Sequence, residues 1–92
     1  MAEFTVRVEL HGATSDDYEK LHESMGARGY SREVISDDGQ WFNLPTAEYV
    51  ASKSYTATQI RDEVRVVASA ISQSNWVLVT ESKERSWYLS TK

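Results

Sequence analysis

Between Thr56 and Ser72 the sequence reads TATQIRDEVRVVASAIS, and its apolar period singles out one secondary structure. Ile60, Val64, Val67, Ala68 and Ile71 fall at i, i+4, i+7, i+8 and i+11, a single stripe on a 3.6-residue repeat, while Arg61, Asp62, Arg65 and Ser69 lie outside it. This is an amphipathic helix. Thr56 and Gln59 have capping-box spacing, so the helix start is specified along with its face. Burying the five apolar side chains yields roughly 7 to 15 kcal/mol gross, provided that a sheet or second helix lies against them. An isolated helix of this length is marginal in water. The rest of the chain must supply the layer that this stripe covers.

The 92 residues suffice for one domain, which buries about 60 to 65% of the surface its unfolded chain exposes. All elements therefore share one core. The absence of cysteine excludes a disulfide scaffold and thiolate metal sites. The first residues, MAEFTVRVEL, lack a basic start followed by a long apolar run, and no stretch has the length of a membrane span. A cytoplasmic protein without a membrane partner is the expectation. The formal charge of −4 argues against a protein that holds long phosphate backbones, and no DNA partner is expected. Locally, Lys20, His22, Arg28 and Arg32 gather among Glu19, Glu23 and Glu33, which equally describes a mixed, solvated helix face.

Phe4, Val6, Val8 and Leu10 alternate with Thr5, Arg7, Glu9 and His11, the period of a half-buried strand. Thr14-Ser15-Asp16-Asp17 then provides a helix cap and two carboxylates for the positive end of the helix dipole. This first helix turns Tyr18, Leu21 and Met25 inward, with His22 beside them, and ends near Arg28, where Gly29-Tyr30 reads as a C-cap. Tyr30 to Ser36 reads as a short strand, and Asp37-Asp38-Gly39-Gln40 as a tight reversal. Trp41 to Leu44 forms either a hairpin strand or an aromatic lid, closed by Pro45. Glu48 to Ser54 and Trp76 to Ser82 read as further strands, the second of them after a Gln73-Ser74-Asn75 turn. The tail, Glu84 to Lys92, carries Trp87, Tyr88 and Leu89 and is expected to add a short strand or to pack over the sheet edge.

Strand, helix, strand, strand, helix, strand predicts an α+β, ferredoxin-like βαββαβ sandwich, with an antiparallel sheet in the order 4-1-3-2 and both helices on one face. The other face is open. It carries Thr5, Arg7, Glu9 and His11, with the tail or a partner chain as its cover. That composition does not match an RNA-recognition domain of the usual kind, which displays aromatic residues on its central strands.

Histidine is the natural acid–base residue near neutral pH, which makes His11 and His22 candidates for RNA cleavage through the 2′-hydroxyl. Two histidines in a chain of this size are unremarkable, however, and surface or packing roles are the readier account of both. Asp16-Asp17, Asp37-Asp38 and Asp62-Glu63 are carboxylate pairs that a helix start, a turn and a helix surface explain without a cation. Trp41, Phe42, Trp76 and Trp87 read as packing or dimer contacts ahead of a stacking platform for bases. There is no phosphate-binding glycine loop, nucleophile elbow or zinc signature.

Over nearly its full length, from TVRVEL through EKLHESMGARGYSREVISDDGQW to SYTATQIRDEVR, the chain resembles the GhoS-type antitoxin family. These small bacterial proteins of ferredoxin-like fold act as sequence-selective endoribonucleases on the message of a membrane toxin. The resemblance implies single-stranded RNA, a toxin mRNA, as partner, and metal-independent cleavage with no cofactor. His11 stands where a family member carries an aspartate, and His22 where it carries a helix-one arginine. On this resemblance, His11 and His22 take the catalytic places, with Arg7, Lys20 and Arg28 as phosphate contacts. A different class of function, a non-catalytic homodimeric interaction module, follows from Trp41, Trp87, Tyr88 and Leu89, because aromatic residues near edges often mark interfaces.

Overall fold

A computed structural model describes all residues, Met1 to Lys92. The elements are β1 (Ala2–Leu10), α1 (Ser15–Ala27), β2 (Glu33–Ile35), β3 (Trp41–Asn43), β4 (Glu48–Lys53), α2 (Ala57–Ser69) and β5 (Asn75–Glu81). Together they form an α+β fold with two helices and antiparallel sheets. No helix is long and apolar enough to cross a membrane.

Both helices begin where the sequence indicates. Thr14 caps α1 and Thr56 caps α2, each in a complete capping box closed by Asp17 and Gln59 respectively. Two orphan N–H groups are thereby satisfied at each helix start. At the end of α1 the chain turns left-handed at Gly29 (φ 87°), where a β-carbon would be strained. Gly29 N–H donates to Gly26 O at 3.1 Å, Tyr30 N–H donates to Met25 O at 3.1 Å, and the Tyr30 and Met25 side chains both enter the core. This is a Schellman ending with its hydrophobic contact.

The main sheet has the order β4-β1-β5, antiparallel throughout. Alternation along β1 sends Phe4, Val6, Val8 and Leu10 to the helix-covered face, where they join Leu21 and Met25 of α1 and Ile60, Val64, Val67 and Ala68 of α2. The stripe of α2 thus finds its layer. Ile71 packs against the same cluster from the turn after α2, which ends at Ser69.

The predicted second strand takes a different course. Ser31 and Val50 exchange two backbone hydrogen bonds, at 2.8 and 2.9 Å, and this single bridge is the only backbone pairing between the segment and the edge of β4. The chain then turns away, and β2 pairs with β3 in a separate two-stranded sheet. A partner joined by a connection of only five residues, 36–40, is reached with little loss of loop entropy. The turn itself is well satisfied: the Asp38 carboxylate accepts from the Ser36 hydroxyl and from Gln40 N–H. The tail completes the hairpin, with Asn43 N–H donating to Ser90 O at 3.3 Å and Lys92 N–H to Trp41 O at 3.0 Å. Trp41 to Asn43 is therefore a hairpin strand, and the tail packs within the chain through Trp87, which meets Phe42 edge to face, while Tyr88 stays fully exposed.

Candidate nucleic-acid interface

The face of the sheet away from the helices is divided in two by the tail. Arg85 donates from Nε to Thr5 Oγ1 at 2.9 Å and from Nη2 to Phe4 O at 2.8 Å, which lays the tail over the Glu3, Thr5 and Val50 end. Val50, on this second face, is buried beneath it. The other half stays open.

On that open half the ladder sets Arg7 opposite Leu78 and Glu9 opposite Trp76. Trp76 and Leu78 are 68% and 65% exposed, unusual for large apolar residues on a strand. His11 ends the row: its Nδ1 lies 2.9 Å from Ser74 Oγ, and its Nε2 lies 3.4 Å from Glu9. Its ring meets Trp76 edge-on, with centroids 4.7 Å apart. An aromatic plane, a guanidinium and an imidazole thus adjoin on one surface. Glu9 is their neighbour, and Glu48 faces Arg7 from β4, so phosphate meets a single cation between two carboxylates.

Of the five residues singled out from the sequence, only Arg7 and His11 share this face, with Glu9 between them. His22 lies on the helix side of the sheet, with Nδ1 2.6 Å from the hydroxyl of Tyr49, whose ring is fully buried in the core. Partial burial, then the Arg32 guanidinium, lower the pKa of His22 from its ordinary value, so its neutral form is favoured. Burial also raises the Tyr49 phenol, which stays protonated. The His22–Tyr49 contact tethers α1 to β4, a packing role. Lys20 is exposed two residues earlier, about 200° around the helix from His22. Arg28 is the C-cap of α1, and its carbonyl accepts from Lys53 Nζ at 2.6 Å. The two histidines therefore do not share one site, because the intact sheet stands between their side chains.

Trp76 is the member of this surface that sequence reading assigned to packing, and Leu78 had no role in it. In WVLVTES both alternating sets begin with apolar residues, Trp76 and Leu78 on one side and Val77 and Val79 on the other. Period alone cannot say which set is covered. The three carboxylate pairs have structural duties or stay dispersed: Asp17 closes a capping box, Asp38 the hairpin turn, and Asp62 pairs with Arg61 at 2.9 Å. No group of three His, Asp or Glu side chains is placed to hold a metal ion. No protein-family model matches this chain, and no curated protein matches its sequence.

Proposed function

We propose that this chain is a GhoS-like antitoxin that binds single-stranded RNA, a toxin message, in the cytoplasm on the open half of its sheet. The observation that carries the reading is the exposed Trp76 beside Arg7 and His11, since stacking on an aromatic plane and a guanidinium at the phosphate are what single strands require. The architecture is read as a ferredoxin-like sandwich in the order 4-1-3-2, in which the Ser31–Val50 bridge is what remains of the second strand's pairing with the third. Support for that reading comes from the β5-β1-β4 order and from both helices packing on one face.

Cleavage through the 2′-hydroxyl needs a proton acceptor, a proton donor and a cation at the phosphate. On this surface the imidazole of His11 is the group able to move a proton, and Arg7 is the cation. The endoribonuclease reading therefore rests on His11 with Arg7, and leaves His22, Lys20 and Arg28 outside the site.

The test is an NMR titration of isotope-labelled protein with a short single-stranded RNA at low salt, without magnesium, followed by inspection of the RNA for breakage. The Trp76 indole N–H and the backbone of Arg7 and Glu9 are expected to shift. Trp76→Ala should weaken binding by about 1 to 3 kcal/mol, the worth of one stacked base. Breakage that persists in His11→Ala would remove the catalytic role. An absence of any shift at low salt, where phosphate binding is strongest, would leave an interaction module as the function.

A further inference from the structure

The strand β5 is an edge, hydrogen-bonded to β1 alone. His11 N–H donates to Ser74 O and Ser82 N–H to Glu3 O, which fixes the phase of the ladder. Even-numbered residues of β5 bond inward to β1, and Val77, Val79 and Glu81 point their backbone groups outward. Natural edges are usually blunted by charge, proline or a bulge. From Asn75 to Thr80 this one has neither charge nor proline, and its register with β1 is unbroken.

We infer that the outer edge of β5 pairs antiparallel with the same edge of a second copy of this chain, about a twofold axis through Leu78. Three features of the edge select this occupant. First, Leu78 is the midpoint of Asn75–Glu81, so this register pairs the strand along its whole length with every outward group satisfied. It sets Val77 against Val79 of the second copy and Leu78 against Leu78. The Leu78 pair falls at a non-hydrogen-bonded position, where side chains approach most closely.

Second, the covered side of the new strand has a matching groove. Ala57, Thr58 and Arg61 of α2 line a cleft along Val77 and Val79. In the pairing, Val77 and Val79 of the second copy enter that cleft, since odd-numbered residues face the helices in both copies.

Third, the charges complement one another. Asn75 lies opposite Glu81 of the second copy, on the helix side of the sheet. Arg61 borders this edge, and Ser69 accepts from Asn75 Nδ2 at 3.3 Å. Arg65 stands between them on the same side of α2, one turn from each, and has no ion-pair partner within the chain. Glu81 of the second copy is directed toward it, and the twofold repeats the contact. Such a dimer has one six-stranded main sheet, and it leaves Arg7 and Trp76 of both copies on a single open face. It requires no RNA.

Sedimentation analysis of the RNA-free protein over rising concentration tests the pairing. A reversible monomer–dimer equilibrium is expected, with hydrogen exchange at the Val77 and Val79 amides slowing as the dimer fills. Leu78→Lys, at an exposed position that leaves the monomer folded by circular dichroism, should yield monomer throughout. Arg65→Glu and Glu81→Arg should each weaken association about tenfold, and the double reversal should restore it. A monomer at every concentration, a dimer indifferent to Leu78→Lys, or a charge reversal without restoration would each overturn the proposal.

Discussion

The imidazole of His22 and the hydroxyl of Tyr49 lie 2.6 Å apart, and this bond joins the middle of α1 to the edge of the main sheet. The pKa of His22 is lowered from 6.5, first by burial and then by Arg32, so below that pH the unfolded chain takes up a proton that the folded chain resists. Stability should therefore fall as pH drops through 6.5 and level off below the folded-state pKa. Thermal melts between about pH 7.5 and 5.5 will show the slope, and His22→Gln, which keeps a hydrogen-bonding group, should flatten it. An unchanged slope in the variant would assign the effect to other groups.

Tyr30 performs a similar duty between the end of α1 and α2. Its hydroxyl donates to Glu63 Oε1 at 2.7 Å, and Lys53 Nζ lies 3.4 Å from the same oxygen and 4.5 Å from the centre of the Tyr30 ring. Burial, then the bond to Glu63, push the phenol well above its ordinary range. Tyr30→Phe should cost about 1 to 2 kcal/mol in urea unfolding, because the bond is charge-assisted but Glu63 is partly open to water. A cost below about 0.5 kcal/mol would mean that water replaces the bond without loss.

Arg85 pins the tail to β1 through Thr5 and the Phe4 carbonyl, with Glu3 3.6 Å away. Arg85→Ala removes two charge-assisted bonds in a partly shielded setting, and a loss of about 1 to 3 kcal/mol is expected. Lys83 should then become the first site cut by trypsin, since the chain that follows it is no longer held to β1. Retained resistance at Lys83 would show that the β3–tail hydrogen bonds hold the tail alone.

Ala47 has φ 63°, the one non-glycine residue in the left-handed region. Its carbonyl accepts from Val8 N–H at 3.0 Å, and Glu48 N–H donates to Pro45 O at 3.1 Å, so the turn into β4 fixes this conformation. Left-handed backbone costs an L-residue about 1 to 2 kcal/mol, and glycine's added unfolded-state freedom recovers less than that. Ala47→Gly should raise stability by up to about 1 kcal/mol, measured by denaturant midpoint. A fall would mean that the buried methyl group contributes more than the strain costs.

Local chemistry settled much of this fold before any tertiary contact. The capping boxes at Thr14 and Thr56, the Gly29 ending, the Asp38-Gly39 reversal and the alternation from Phe4 to Leu10 each satisfy their own backbone or declare their own buried face. Neighbours within a few residues suffice for that, so these features are legible in order along the chain. Partners far apart in sequence are another matter. Whether Glu33 to Ile35 joins β4 or folds back on Trp41 to Asn43 depends on competing hydrogen bonds and on a tail that meets Phe42 from the far end of the chain. Which side of β5 stays bare depends on where α2 and Arg85 come to rest, so Trp76 is indistinguishable from a core residue until the sheet is assembled. The separation of His11 from His22 has the same origin: the sheet between them exists only once β1, β4 and β5 have paired.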